Sequence, residues 1–142
     1  MWTTVAPASQ AELIAARTAF LKEPNLVHHA WDKGPSEYSG TTAQGDITWS
    51  DAKQSGFMRF RGLPLNDPKK FQYQLWIFDS ERDSSKPTSG GVFDVLSCDG
   101  EYLVEIAPSI AVFEGKSFVV TVEPPGGVVV SKRKHIVRTA NL

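Results

Sequence analysis

The run Asp79-Ser80-Glu81-Arg82-Asp83, followed by Asp94, concentrates carboxylates in one short polar stretch. Acids at every second residue are the arrangement by which a calcium loop surrounds a hard cation with oxygen ligands. The match ends there. A calcium loop needs glycine at its sixth position and a bidentate glutamate at its twelfth, where this chain has Ser84 and Gly90. Arg82 and Lys86 also stand among the acids. The run reads better as a solvated hairpin tip, with Asp79 and Asp83 kept as candidate ligands. His28 and His29, with Asp32, supply a zinc-type donor set that His135 could join through folding. Neighbouring side chains diverge, however, and a tight zinc site needs three or four convergent donors.

Cys98 and His135 are the residue types of a nucleophile–base pair or of part of a copper site. Blue copper would ask for a second histidine and a nearby methionine, and the methionines are Met1 and Met58. Ser97-Cys98-Asp99-Gly100 reads instead as a turn carrying a thiol. Ser131-Lys132-Arg133-Lys134-His135 is the basic cluster of the chain, without interleaved aromatics. It reads as a hairpin tip between Val128–Val130 and Ile136–Val137, not as a nucleic-acid patch. No phosphate loop, nucleophile elbow or paired-metal motif is present, so neither an enzyme nor a cofactor site is expected.

The elements that must position these residues fall into two regions. Residues 9–23 form the one good helix pattern, with Ser9 as N-cap, Glu12 completing a capping box and Pro24 ending the run. Leu13, Arg17, Phe20 and Leu21 share a face. Residues 24–45 read as an irregular surface connection pinned by Val27 or Trp31. From residue 46 the period changes to two. Strands are expected around Ile47–Trp49, Met58–Arg61, 71–79, 91–96, 101–106, 117–123, 128–131 and 136–138. Turn residues separate them, among them Gly62-Leu63-Pro64 and Pro124-Pro125-Gly126-Gly127. The expected fold is all-β: an antiparallel β-sandwich of about seven or eight short strands with one N-terminal α-helix. Residues 1–45 form the helix and connecting loop, residues 46–142 the sandwich, and together they make one domain.

The bulk numbers agree. The chain has 142 residues, 41% hydrophobic and 22% charged, with a formal net charge of −1 and one cysteine. That is the composition of a single globular domain with no internal disulfide and no overall pull toward nucleic acid. No window reaches the roughly 18 apolar residues of a membrane span, and the first residues lack the pattern of a signal peptide. If the protein is exported or anchored, the responsible segment is expected outside these residues.

Five runs, taken in order, resemble a known family. They are Gly45-Asp-Ile-Thr-Trp-Ser50, Gly56-Phe-Met-Arg-Phe-Arg-Gly-Leu-Pro64, Gln72-Tyr-Gln-Leu-Trp-Ile-Phe-Asp79, Gly90-Gly-Val-Phe-Asp94 and Val120-Thr-Val-Glu-Pro-Pro-Gly-Gly127. Together they are similar to the C-terminal domain of RskA-type anti-sigma factors, the anti-sigma-K factor family. Trp49, Gly62, Leu63, Pro64, Tyr73, Gln74, Leu75, Trp76, Gly91, Phe93, Glu123, Pro125 and Gly126 carry the likeness. The resemblance implies a bacterial regulator anchored in the cell membrane, with this domain on the extracytoplasmic, periplasmic side. Control of transcription would run through a sigma factor held by a cytoplasmic domain that these residues do not include. The transmembrane helix would lie upstream, and regulatory proteases would relieve inhibition. Neither catalytic residues nor a cofactor follow from the family, and a homodimer is left open. The alternative is a ligand- or metal-binding β-sandwich module with no sigma-factor role.

The signature residues also have physical roles. Apolar residues on both faces of Tyr73–Phe78 predict a central strand, covered on its outer side by the helix or by the 24–45 segment. Pro125-Gly126 suits the centre of a type II turn.

Overall fold

The computed structural model describes residues 8–40, 44–97 and 100–141. Among these described residues are one α-helix and nine strands: α1 (Gln10–Phe20), β1 (Val27–Ala30), β2 (Asp32–Lys33), β3 (Gln44–Ser50), β4 (Ser55–Arg61), β5 (Gln72–Asp79), β6 (Thr88–Phe93), β7 (Tyr102–Glu105), β8 (Gly115–Glu123) and β9 (Ile136–Asn141). They form two antiparallel sheets, β1-β3-β4-β7 and β2-β9-β8-β5-β6. The strand alternation places Ile47, Trp49, Met58 and Phe60 of the first sheet against Tyr73, Leu75, Ile77, Phe118 and Val120 of the second, all essentially inaccessible. Phe60 stacks on Phe93 at 5.5 Å and Trp49 meets Phe118 at 6.4 Å, so aromatic rings tie the two sheets across the core.

The helix begins as expected. Ser9 Oγ accepts the Glu12 N–H at 3.1 Å, the N-cap half of a capping box, and the hydroxyl donates to the Glu12 carboxylate at 3.2 Å. It ends earlier than Pro24, at Phe20, and Asn25 turns the chain at φ +61°. Residues 24–40 of the expected connection are more regular than their sequence suggests. Within them, β1 pairs with β3 and β2 pairs with β9, so this stretch supplies an edge strand to each sheet. Two- and four-residue strands leave no readable alternation, which is why they escape a sequence reading.

Two further expectations are corrected. Val128–Ser131 is not a strand but part of an irregular excursion, residues 124–135, between β8 and β9. And α1 packs on the first sheet, against β7 and β4, not on the outside of β5. The outer side of β5 is covered by the 124–135 excursion instead, which keeps Gln74 and Trp76 almost wholly buried.

Candidate functional site

The excursion starts from a tight turn. The Gly127 N–H donates to the Pro124 carbonyl at 2.9 Å, and Gly126 at the second central position has φ +89°. This is type II geometry, which favours proline before glycine. Beyond it the chain crosses the outer face of the second sheet and is fastened by amide side chains of β5. Gln72 Oε1 accepts the Gly126 N–H at 2.7 Å. Gln74 Oε1 accepts the Val128 N–H at 3.0 Å, and its Nε2 donates to the Val128 carbonyl at 3.1 Å and to Ser89 Oγ at 2.9 Å. Gln74 therefore occupies both backbone groups of Val128, as a neighbouring strand would. Gly127 has to be glycine: a Cβ there would lie 2.8 Å from Gln74 Oε1 and 2.4 Å from Val92 Cγ2.

A second row of bonds fixes the far end. Trp76 Nε1 donates to Thr121 Oγ1 at 2.9 Å, and the Thr121 and Ser131 hydroxyls both donate to Glu123 Oε2. The Arg133 N–H donates to Ser131 Oγ, and the Arg133 guanidinium lies 5.4 Å above the Phe78 ring. With both ends pinned, the middle of the excursion projects: Val129 is 93% and Val130 65% exposed.

Beside this projection lies an open cleft of about 540 Å³. Tyr38, Phe71, Val128 and Val130 give it an apolar floor, and Lys70, Lys132, Arg133, Lys134 and His135 surround it. The carboxylate on its wall, Glu123, is occupied by Thr121 and Ser131. Arg133 Nη1 is enclosed and has no hydrogen-bond partner among the described residues. An aromatic chain runs from the core to this wall: Phe93, Tyr73, Phe71, Tyr38 and His135 succeed one another with centroids 5.3–5.7 Å apart. The site is thus a rigid, basic and partly apolar surface, suited to binding an anionic group beside an apolar one.

The candidate ligands are not brought together. His28 and His29 occupy successive positions of β1, facing opposite sides of the sheet. Asp79 is consumed structurally: its Oδ1 accepts the Glu81 N–H and its Oδ2 the Phe113 N–H, each at 3.0 Å. Asp83 is exposed and accepts the Ser85 N–H at 2.9 Å, which holds its carboxyl below the usual range. Asp94 accepts from Asn66 and Gln72. Among the described residues no three of His, Cys, Asp or Glu converge as a metal site would require. Cys98, with its proposed pairing to His135, lies outside the described residues.

The other signature residues sit in the frame. Trp49 donates to Asp51 at 2.7 Å, and the buried Tyr73 hydroxyl donates to the Pro64 carbonyl at 2.7 Å. Burial pushes the Tyr73 pKa well above its ordinary value, so the phenol stays neutral. Leu63 and Leu75 are core residues, Gly62 turns the chain at φ +85°, and Gly91 at φ +118° lies at the register shift between β5 and β6.

Sequence reasoning passed over a second polar centre, on the opposite side of the molecule. Asp46 on β3 accepts from Arg17 of α1 at 2.9 and 3.1 Å and from Arg59 of β4 at 3.0 and 2.9 Å. His28 Nε2 stands 2.8 Å from its Oδ2, and Arg59 continues to Glu101 at 2.7 Å. Burial would raise the Asp46 pKa. The hydrogen bonds from Arg59 and His28 and the charges of Arg17 and Arg59 outweigh it, and the net shift is downward. Arg138 was also missed. It is fully buried on β9 and donates through Nη1 to the Ser39 and Val137 carbonyls, both at 2.7 Å.

Comparison with known proteins gives one result that bears on function. The family model described as "Anti-sigma-K factor rskA, C-terminal" matches residues 2–131. Neither the curated proteins nor the solved structures contain a match.

Proposed function

Because the chain belongs to the anti-sigma-K factor RskA C-terminal family, we propose that it is the extracytoplasmic regulatory module of a membrane-anchored anti-sigma factor. The observation that carries this reading is the extent of the match, which takes in α1, β1 to β8 and the excursion as far as Ser131. In this reading the sigma factor is bound by a cytoplasmic part of the full protein, and these residues report an outside condition to it. Regulatory proteolysis converts that report into sigma-factor release.

The geometry supports a receiving role. Gln74 and Glu123 spend their bonds holding one surface segment in shape. Such a segment is built for presentation. The basic cleft beside it gives the module a place to bind.

Two measurements test the reading. Alkaline phosphatase fused to the C-terminus of the full-length gene product is expected to be active, and β-galactosidase inactive. The reverse pattern would overturn the extracytoplasmic placement. Deleting residues 46–142 from the chromosomal gene is expected to change transcription from promoters of the cognate sigma factor. Unchanged output in inducing and non-inducing conditions would remove the regulatory role.

A further inference from the structure

We propose that the 124–135 excursion docks on an anionic lipid bilayer. Val129 and Val130 enter the apolar boundary, and the basic residues beside them meet headgroup phosphates. This goes beyond the regulatory reading and does not rest on it, because the isolated chain carries the whole surface.

Three observations converge. First, two adjacent β-branched apolar residues project into solvent, at 93% and 65% exposure. Second, the segment that bears them is fastened at both ends: Val128 is bonded by Gln74 and Ser131 by Glu123. Water-exposed valines on a flexible loop would need no explanation, but a braced loop keeps its apolar tip exposed for a reason outside the fold. Third, cations gather at the same place. Val130, Lys132, Arg133, Lys134 and Lys70 line one cleft, in a chain whose formal net charge is −1. Its one wall carboxylate is already engaged, and Arg133 Nη1 is an unmet donor among the described residues.

The arrangement selects the occupant. An acidic peptide would match the cleft charges but leave Val129, which does not line the cleft, in water. A bilayer with anionic headgroups presents both halves together: phosphates at the depth of the lysines and hydrocarbon at the depth of the tip. A surface of this kind accounts for the apolar projection and for its basic surround at once.

Co-sedimentation of the full 142-residue chain with vesicles tests it. Vesicles of phosphatidylcholine mixed with phosphatidylglycerol are expected to pull the chain down. Phosphatidylcholine alone should not, and added salt should release it. Val129→Asp should weaken partitioning about tenfold, the loss of one buried valine side chain. Lys132→Gln and Lys134→Gln should each weaken it about fivefold, the contribution of one cation near an anionic surface. All three side chains lie on the surface, and an unchanged urea midpoint verifies that the variants fold. The proposal is overturned if the chain ignores both vesicle types, binds both equally, or binds equally in the Val129→Asp variant. Binding to polyglutamate without binding to vesicles would assign the cleft to an acidic peptide and overturn it too.

Discussion

The outer face of each sheet is covered by one excursion of the chain, and the two covers are fastened by opposite chemistry. On the first sheet, α1 has no buried residue. It is held by Arg17 reaching Asp46, by Phe20 edge-on to Phe57 at 5.4 Å, and by Gln10, whose amide bonds both backbone groups of Leu103 on β7. On the second sheet, the middle of the 124–135 excursion is held by the neutral amide of Gln74, and Ser131 at its far end donates to the Glu123 carboxylate. An ionic clamp responds to pH and salt. An amide clamp does not, because its groups do not titrate in the working range. The attachment of α1 therefore leans on charge, through Arg17 and Asp46, whereas Val128 at the middle of the excursion is held by an amide alone. The amide-held cover carries the proposed binding surface.

The largest effect that can break this comparison comes from Asp46→Ala. The carboxylate is shared by two guanidiniums with little solvent access, and its side chain is 10% exposed. Removing it leaves Arg17 and Arg59 facing one another with unmet donors. A loss of about 2–3 kcal/mol is expected in urea unfolding, the low end for breaking a buried pair because Arg59 keeps some contact with water. Hydrogen exchange should rise in the amides of α1 and stay unchanged at Val128. Exchange rising equally in both places would mean that the covers are coupled.

Gln74→Leu should have a smaller effect, placed on the other face. It keeps the volume but leaves the Val128 N–H and C=O without their partner, at a cost of about 1–2 kcal/mol. Exchange at Val128 should rise while α1 stays protected. If Gln74→Leu proves more destabilising than Asp46→Ala, the ranking of the two clamps is reversed.

The two clamps also differ in how well they can be read from sequence. Gln74, Glu123, Pro125 and Gly126 lie in local runs whose order carries the family likeness, and the proline–glycine turn follows from backbone preference alone. Asp46 lies in another of those runs, Gly45–Ser50, but nothing local marks it as a clamp. Its partners are 29 and 13 residues away and meet it only through the fold. The misreading of Val128–Ser131 as a strand has a related cause. Val128-Val129-Val130 has the β-branched composition of a strand, and Val128 does make strand-like bonds, but to a side-chain amide. Composition reveals the preference for extended backbone and not which group supplies the partner. The same limit applies to the acids at 79–94. Spacing excludes a calcium loop, but only the fold shows Asp79 binding the Glu81 and Phe113 amides.

The smallest effect sharpens the comparison most, because it separates the clamps without changing a residue on the second face. Asp46 has its pKa lowered in the folded protein. A depressed carboxylate stabilises the fold fully above its unfolded-state value of about 3.9. That contribution is lost as pH falls through the lower folded value. Burial of the carboxylate opposes the pull of Arg59, His28 and Arg17, and the net direction is downward. Acidification below about pH 4 should therefore loosen α1 first, seen as faster exchange across Gln10–Phe20 relative to Val128. In Asp46→Asn the pH dependence of α1 exchange should flatten, while that of the 124–135 segment stays as it was. A pH profile unchanged by Asp46→Asn would show that another group governs the release of α1, and the ionic clamp would lose its claim to be the responsive one.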